Sequence, residues 1–397
     1  MKIRRRSLCF IEIANVVAPN FKALLEGVVK IEESTGVNLL CLVSGRRISI
    51  SSSDLIFLTR LNPGWIDCNS LDLKEYPMPK IKDLVDRSVL LSDAEDDLIS
   101  SKILKAENDF EKVGWHPLAS LYHGMGRWSG VRSDAACREH GDAAHQERLR
   151  INAVRNGPLP THFPFRTDAL SEFHLPCCEE VSPLEEVLHA RKTTRHFNSS
   201  KPLDLLLFSR VMKETFGALG VQDLAPGMTA MKRSSPSGGA LHPIEAYPLV
   251  INVEGLESGW YHYRSDINCL SLLKKIPVAE VRELANNLVI GQTYFADAHV
   301  IIFHVARLDR HHWKYRRHPK GYKAVVLDSG HLSQTFYLLA TSLGLGAFYT
   351  AAINDADVEK CLSLESPYNM VIGANGLGVI DPSSNMLHLQ PVPLGEN

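Results

Sequence analysis

The chain has 397 residues, 45% hydrophobic and 22% charged, a composition that excludes a fibre or a long disordered tail. Its 43 lysines and arginines oppose 45 aspartates and glutamates, and a net charge of −2 supplies no global positive field for nucleic acid. No apolar run reaches the length of a membrane span, and 397 residues exceed one ordinary core, so two or three domains are expected.

The eight cysteines, including the adjacent pair Cys177 and Cys178, form no Cys-x-x-Cys pattern. Their scatter fits reduced thiols in the cytoplasm and predicts no metal site. The basic start, Arg4-Arg-Arg6, lacks the uncharged apolar segment of an export signal, because Glu12 and Asn15 interrupt it. It reads as a first strand with a basic outer edge.

Residues 1–100 form one small unit. Leu8–Val17 and Leu39–Ile50 are apolar runs of strand character. The cluster Ser51-Ser-Ser-Asp54 starts a helix that Asn62-Pro-Gly64 ends, and Ile81–Leu91 is a second helix. Short helices between small strands suggest a winged-helix-like module, which either recognises a peptide or nucleic acid or serves as scaffold.

Residues 101–180 are a less regular bridge. A short helix follows Pro117, Gly130–Glu147 is polar without a period, and Asn156–Phe165 is an extended connector. His116, His123, His140 and His145 match no common ligand spacing and read as satisfied or solvent-facing side chains.

From residue 181 to 397 strands and helices interleave, which gives an α+β or α/β domain. Ser182-Pro-Leu-Glu185 is a capping box, and Asp204 caps a helix over Leu205–Phe216 that Gly217 stops. Strands are expected at Ala246–Val253, His299–Val305, Ala347–Ala352 and Met370–Ile380, with a hairpin joining Gly259–Tyr263 to Cys269–Leu273. Val281–Val289 is a helix. Leu332, Phe336, Leu339, Ala340 and Leu343 mark another, ended by Gly344 and Gly346.

Two segments carry chemistry. In Arg191-Lys-Thr-Thr-Arg-His-Phe197 the two arginines lie four apart at a helix end, suited to a phosphate, with the Thr193 hydroxyl between them. A helix C-terminus decorated with cations would look the same. In Pro236-Ser-Gly-Gly239 adjacent glycines let backbone lie close to something flat.

Together these segments resemble the nitroreductase-like flavoprotein superfamily, over about residues 182–380. The resemblance implies an α+β fold with a mostly antiparallel central sheet flanked by helices. It also implies FMN bound at the interface of an intertwined homodimer. Arg191, Thr193 and Arg195 would contact phosphate and ribityl. Pro236, Ser237, Gly238 and Gly239 would lie beside the ring, often the partner subunit's. The late segments Gly344-Leu-Gly346 and Gly373–Gly378 match in order, bringing Gly346 and Gly376 into the site. The superfamily often adds a cation after its last glycine turn; none follows Lys360 here, and Lys232 or Arg233 would substitute.

A narrower resemblance lies in Trp313-Lys-Tyr-Arg-Arg-His-Pro-Lys-Gly-Tyr-Lys323 and Leu327-Asp-Ser-Gly-His331, which is similar to SagB-type dehydrogenases. That branch implies oxidation of azolines to azoles in a ribosomally made precursor peptide, with a cyclodehydratase alongside. Lys314 would take the carbon-bound proton and Tyr315 would relay it or orient the ring, provided that Arg316, Arg317 or Lys323 lowers the lysine pKa. Otherwise His311–Lys323 is a solvated basic loop. His331 is expected to be a hydrogen-bonded core residue, and Asp328 to anchor its helix to a loop. A nitro- or quinone-reducing NAD(P)H enzyme and a flavin-less peptide-recognition subunit are the alternatives.

Overall fold

The computed structural model describes residues 1–20, 23–24, 27–43, 45–133, 143–176 and 180–382. His140, the side chain of His145, Cys137, Cys177 and Cys178 lie outside that description. The five cysteines within it are free thiols. The chain divides into two compact units. The first comprises Met1–Arg127 with Arg307–Ala324 and Ser363–Met370, and the second takes the remainder.

The first unit carries β1 (Lys2–Arg5), β2 (Cys9–Pro19), β3 (Ile31–Cys41) and β4 (Arg46–Ile50). After these come α1 (Ser52–Arg60), β5 (Ile66–Asp67), α2 (Met78–Asp86), β6 (Leu90–Ser92), α3 (Leu98–Val113) and α4 (Pro117–Gly126). β1 lies between β5 and β6, antiparallel to both, while β2, β3 and β4 form a separate antiparallel sheet with β2 at its edge. Ile3, Leu39, Leu58, Ile81, Leu84 and Leu90 form the core beneath.

Several expectations shift here. The run Leu39–Ile50 is two strands joined by a turn, not one. The Ile81–Leu91 helix begins earlier and ends at Asp86, because Ser88 turns left-handed (φ 58°) and sends Leu90 into β6. Most of all, the irregular bridge contains α3, a helix of 16 residues. The buried stripe Ile103, Glu107, Phe110 and Val113 has a charge in its middle, and this hides the apolar period. Asp97 caps α3, its side chain accepting from Ser100 N at 2.9 Å, and Gly114 ends it in the left-handed region (φ 82°).

The second unit contains α5 (Ala143–Asn156), α6 (Pro183–Ala190), α7 (Leu205–Phe216), β7 (Gly220–Ala225), β8 (Met228–Lys232), β9 (Ile244–Val250), β10 (Gly259–Arg264) and β11 (Cys269–Lys275). It continues with α8 (Val278–Leu288), α9 (Thr293–Ala296) and β12 (Val300–Arg307). The helix α10 (Leu308–Tyr315) belongs to the first unit, and α11 (Gly321–Ser342) begins there before entering the second. The remaining elements are β13 (Gly346–Thr350), α12 (Asp355–Cys361) and β14 (Asn369–Gly378).

Six strands form the main sheet, in the order β11-β10-β9-β12-β14-β13. The pairs β11–β10, β10–β9, β9–β12 and β13–β14 are antiparallel. The apolar sequence Val-Ile-Ile-Phe of β12 is buried on both faces because that strand is central. Phe208, Val211, Met212 and Phe216 of α7 line up at helical spacing and are buried. This is the α+β architecture expected.

His304 of β12 is wholly enclosed, its Nδ1 2.8 Å from Ser329 Oγ. Burial pushes its pKa down to about 3. An unfolded histidine takes up a proton near pH 6.5. Below that pH the unfolded chain binds a proton that the folded chain refuses. Stability is therefore expected to fall with acidification by up to about 1.4 kcal/mol per pH unit from this residue, until pH nears its folded pKa. Thermal midpoints at pH 7 and pH 5 test this: the fall should be smaller in His304→Gln, and equal falls in parent and variant would refute it.

Candidate active site

The arginine segment leaves α6 with its conformation fixed. Ser182 and Glu185 form the capping box at the helix start: Glu185 Oε2 accepts from Ser182 N at 2.7 Å. Arg191 N donates to Val187 O at 3.0 Å and ends the helix. Thr194 N then donates to Ala347 O at 2.8 Å, laying the segment along β13. Phe197 bridges to Ile380 and is buried.

Tyr337 of α11 organises the polar side of this segment. The Arg191 guanidinium lies 5.4 Å from its ring centroid, a cation–π contact. Its hydroxyl accepts from Tyr349 N at 2.8 Å and lies 3.1 Å from Thr193 Oγ1. Arg195 is half-buried, and its Nε is a buried donor without a hydrogen-bond partner among the described residues. No carboxylate pairs with Arg191 or Arg195 among those residues. Two guanidiniums and a hydroxyl without a counter-anion fit a phosphate, the charged end of FMN.

The Pro-Ser-Gly-Gly loop is tied down more firmly than a surface turn. Asp328 of α11 is buried and accepts from Ser237 Oγ at 2.5 Å and Gly238 N at 3.2 Å. Ser237 Oγ in turn accepts from His242 N at 2.9 Å. Ser235 Oγ lies 2.6 Å from Thr335 Oγ1. Gly239, Ala240 and His242 all hold positive φ (66°, 55° and 46°). Such backbone costs non-glycine residues about 1–3 kcal/mol each, and persists where its surroundings over-determine it. The loop lines a cavity of about 530 Å³ with Gly220–Gln222 and Ala230–Arg233 of the β7–β8 hairpin. Sequence reasoning missed that hairpin, although Pro226-Gly227 marks its turn. Arg233 is buried and donates to Ile244 O at 2.9 Å, whereas Lys232 is exposed.

The glycines assigned to the cofactor have local work. A Cβ on Gly346 would fall 2.7 Å from Thr194 Cγ2, and one on Gly376 would sit inside the Phe348 ring. Both are glycine because protein side chains already fill the space.

Both chemical segments dock on α11, but on different sides. Asp328 and Tyr337 are nine residues apart, two and a half turns at 3.6 residues per turn, so they lie on opposite faces. The structure thus does not bring the arginines and the Pro-Ser-Gly-Gly loop together on one face of this helix. Asp328 anchors helix to loop as expected. His331 departs from expectation: it is exposed, and the enclosed histidine of this region is His304. The apolar period around Leu332 and Phe336 gives no sign of which side a neighbouring polar residue faces.

Lys314 and Tyr315 lie in the first unit, not the unit of the arginines. The predicted basic loop is partly helix, since α10 covers both. Lys314 is exposed with Nζ 5.6 Å from the Tyr315 ring centroid, and Tyr315 packs 5.1 Å from His311. Arg316 is engaged elsewhere. Its Nη1 and Nη2 donate to Lys112 O and Glu111 O at 2.8 and 2.9 Å, capping α3, while Arg317 Nη2 donates to Glu111 Oε1.

Residues 188–379 match the model of the nitroreductase family. The chain is 32% identical over 194 residues to MJ1384 of Methanocaldococcus jannaschii, a protein named as a nitroreductase, covering 49% of this chain and 90% of that one. It is 25% identical over 211 residues to the trifolitoxin-processing protein TfxB of Rhizobium leguminosarum bv. trifolii, covering 52% of this chain and 56% of TfxB. It is 29% identical over 151 residues to the microcin B17-processing protein McbC of Escherichia coli, covering 36% of this chain and 52% of McbC. The chain therefore spans about half the length of these two peptide-processing relatives. The E. coli microcin synthetase McbBCD complex with truncated pro-MccB17 bound matches at TM-score 0.48 and 20% identity, over 68% of this chain and 97% of that chain. Reaching 90% of the length of a relative at 32% identity, and carrying both arginine and glycine segments in order, the chain belongs to the nitroreductase family.

Proposed function

We propose that this chain is an FMN-dependent, SagB-type oxidoreductase that matures a ribosomally made peptide by oxidising azolines to azoles. The observation that carries the cofactor is the pair Arg191 and Arg195, held half-buried with no carboxylate partner among the described residues and one orphaned donor. The substrate class rests on similarity to TfxB and McbC, whose names are those of peptide-processing proteins.

FMN, when bound, supplies an acceptor for hydride. The chain's own residues do the rest. Arg191 and Arg195 hold the phosphate, and Thr193 donates to it or to the ribityl chain. Pro236, Ser237, Gly238 and Gly239 present bare backbone to the ring, kept in place by Asp328. Lys314 takes the carbon-bound proton and Tyr315 relays it. A homodimer accounts for the two faces of α11: each protomer offers its arginines to one flavin and its Pro-Ser-Gly-Gly loop to the other. Val326 and Leu327 of that helix, 41% and 51% exposed, are apolar surface for such a pairing. A cyclodehydratase would supply the azoline, and a cytoplasmic location suits the free thiols.

The test is purified protein with a peptide bearing one thiazoline, followed by mass spectrometry. The parent should remove two hydrogens per ring. Lys314→Ala should keep its flavin and lose at least about a hundredfold in rate, the scale of a general base. Full activity in that variant would remove Lys314 from the mechanism. The relationship to MJ1384 favours a second reading, reduction of nitro compounds by NAD(P)H. Rapid bleaching of flavin by NAD(P)H with turnover of a nitro-aromatic, and an untouched thiazoline, would establish it instead.

A further inference from the structure

Three contacts converge on Tyr337, a buried side chain of α11 to which the flavin chemistry gives no role. Its ring lies 5.4 Å from the Arg191 guanidinium. Its hydroxyl meets Tyr349 N at 2.8 Å and Thr193 Oγ1 at 3.1 Å. Tyr337 also continues a polar stripe. Ser329, Ser333 and Tyr337 stand four residues apart on α11, share one face and are all buried. The two serines are spent on the main sheet. Ser329 Oγ lies 2.8 Å from His304 Nδ1 and 3.2 Å from the Tyr349 hydroxyl, and Ser333 Oγ accepts from Asn375 Nδ2 at 3.2 Å. Tyr337 is the member of the stripe that reaches the arginine segment.

Hydrogen accounting fixes the direction of the Thr193 contact. A phenol has one hydrogen to give. Toward Tyr349 N, which can only donate, the Tyr337 oxygen is the acceptor. The buried phenol hydrogen needs an acceptor of its own, and among the described residues Thr193 Oγ1 is the one within reach. Tyr337 therefore donates to Thr193. The Thr193 hydrogen is then left over, on a half-buried side chain midway along the segment from Arg191 to Arg195. Arg195 Nε is likewise a donor without a hydrogen-bond partner among the described residues. A ribityl hydroxyl would be served equally well by a donor or an acceptor. A phosphate offers oxygens that only accept, and a segment committed to donation suits it better.

We infer that Tyr337 is a positioning residue of the phosphate site: it holds Arg191 against its ring and, by donating to Thr193, commits the Thr193 hydroxyl to the phosphate rather than to the ribityl chain. This role rests on the FMN reading and deepens it, because it makes the site selective for a phosphorylated flavin over riboflavin.

The test is flavin-free, full-length protein titrated with FMN and with riboflavin, binding being read from quenched flavin fluorescence and folding from a melting curve. Thr193→Val should weaken FMN about tenfold and leave riboflavin within about twofold. Thr193→Ser, which keeps the hydroxyl, should stay within about threefold of the parent for FMN. Tyr337→Phe keeps the ring for Arg191 and should weaken FMN about threefold to tenfold, again sparing riboflavin. The double variant should bind FMN within about twofold of Thr193→Val alone, because the tyrosine hydroxyl acts through the threonine. Equal loss of both flavins in Thr193→Val would overturn the phosphate assignment. Losses that multiply in the double variant would mean that Tyr337 acts on the flavin directly. A Tyr337→Phe protein that binds FMN like the parent, or that does not fold, would assign the tyrosine to the core instead. A parent that binds neither flavin would sink the FMN reading itself, whereas a parent that binds FMN beside unaffected variants would remove only this role.

Discussion

Arg191→Ala combined with Arg195→Ala is expected to leave a folded protein that has lost its FMN. Each guanidinium donating to a phosphate contributes about 1.5–3 kcal/mol. Losing both weakens binding by about a hundredfold to ten-thousandfold. Folding should survive because, among the described residues, neither arginine has a carboxylate to strand. Arg191 gives up a cation–π contact to Tyr337, worth about 0.5–1 kcal/mol at a partly exposed site, and Arg195 loses a donor that has no partner among the described residues. The check is the flavin absorbance of purified protein, followed by quenching of FMN fluorescence on titration, with a melting curve for fold. A dissociation constant within threefold of the parent would mean that these cations only decorate a helix end.

Phe348→Ala is expected to lose about 3–5 kcal/mol of stability, the range for deleting a buried phenylalanine. Phe348 is fully buried, stacks on Phe295 with centroids 3.8 Å apart, and meets Phe197 edge-on at 6.1 Å. Its ring edge also fills the space that a side chain at 376 would need. Gly376→Ala should therefore destabilise by about 1–3 kcal/mol or more through overpacking. Combining the two should cost less than their sum, because the new methyl enters the hole that the ring left. Urea midpoints of the four proteins measure this coupling. Strict additivity, or a Gly376→Ala protein as stable as the parent, would show that residue 376 is not a packing position. Flavin affinity in folded Gly376→Ala then reports whether that glycine also serves the cofactor.

The chain's sequence disclosed the second unit well, and the first poorly, for a definable reason. Capping residues Ser182 and Asp204, the unbroken apolar run of β12 and the hairpin β10–β11 each state their structure locally. The helices that escaped notice hide theirs. In α3 the buried stripe includes Glu107, which is tolerated only because Arg6, a hundred residues earlier, meets it. In α10 the buried face is Leu308, His311 and His312, so the pattern reads as polar when the packing is not. A pairing between distant charges leaves no local periodicity to read. The two motifs of the candidate site were legible, and their attachment to opposite faces of α11 was not, since neither motif mentions the helix that holds it.

The Arg6–Glu107 pair also bears on where this protein can be cut. A fragment ending at residue 100 looks self-sufficient by its hydrophobic pattern, yet it would strand a guanidinium in its core with nothing opposite. Breaking such a pair typically costs about 3–5 kcal/mol, a large share of what a small domain has to lose. The N-terminal strand and α3 must therefore travel together through any rearrangement of the gene. Residues 1–127 make a better starting point for a fragment than residues 1–100.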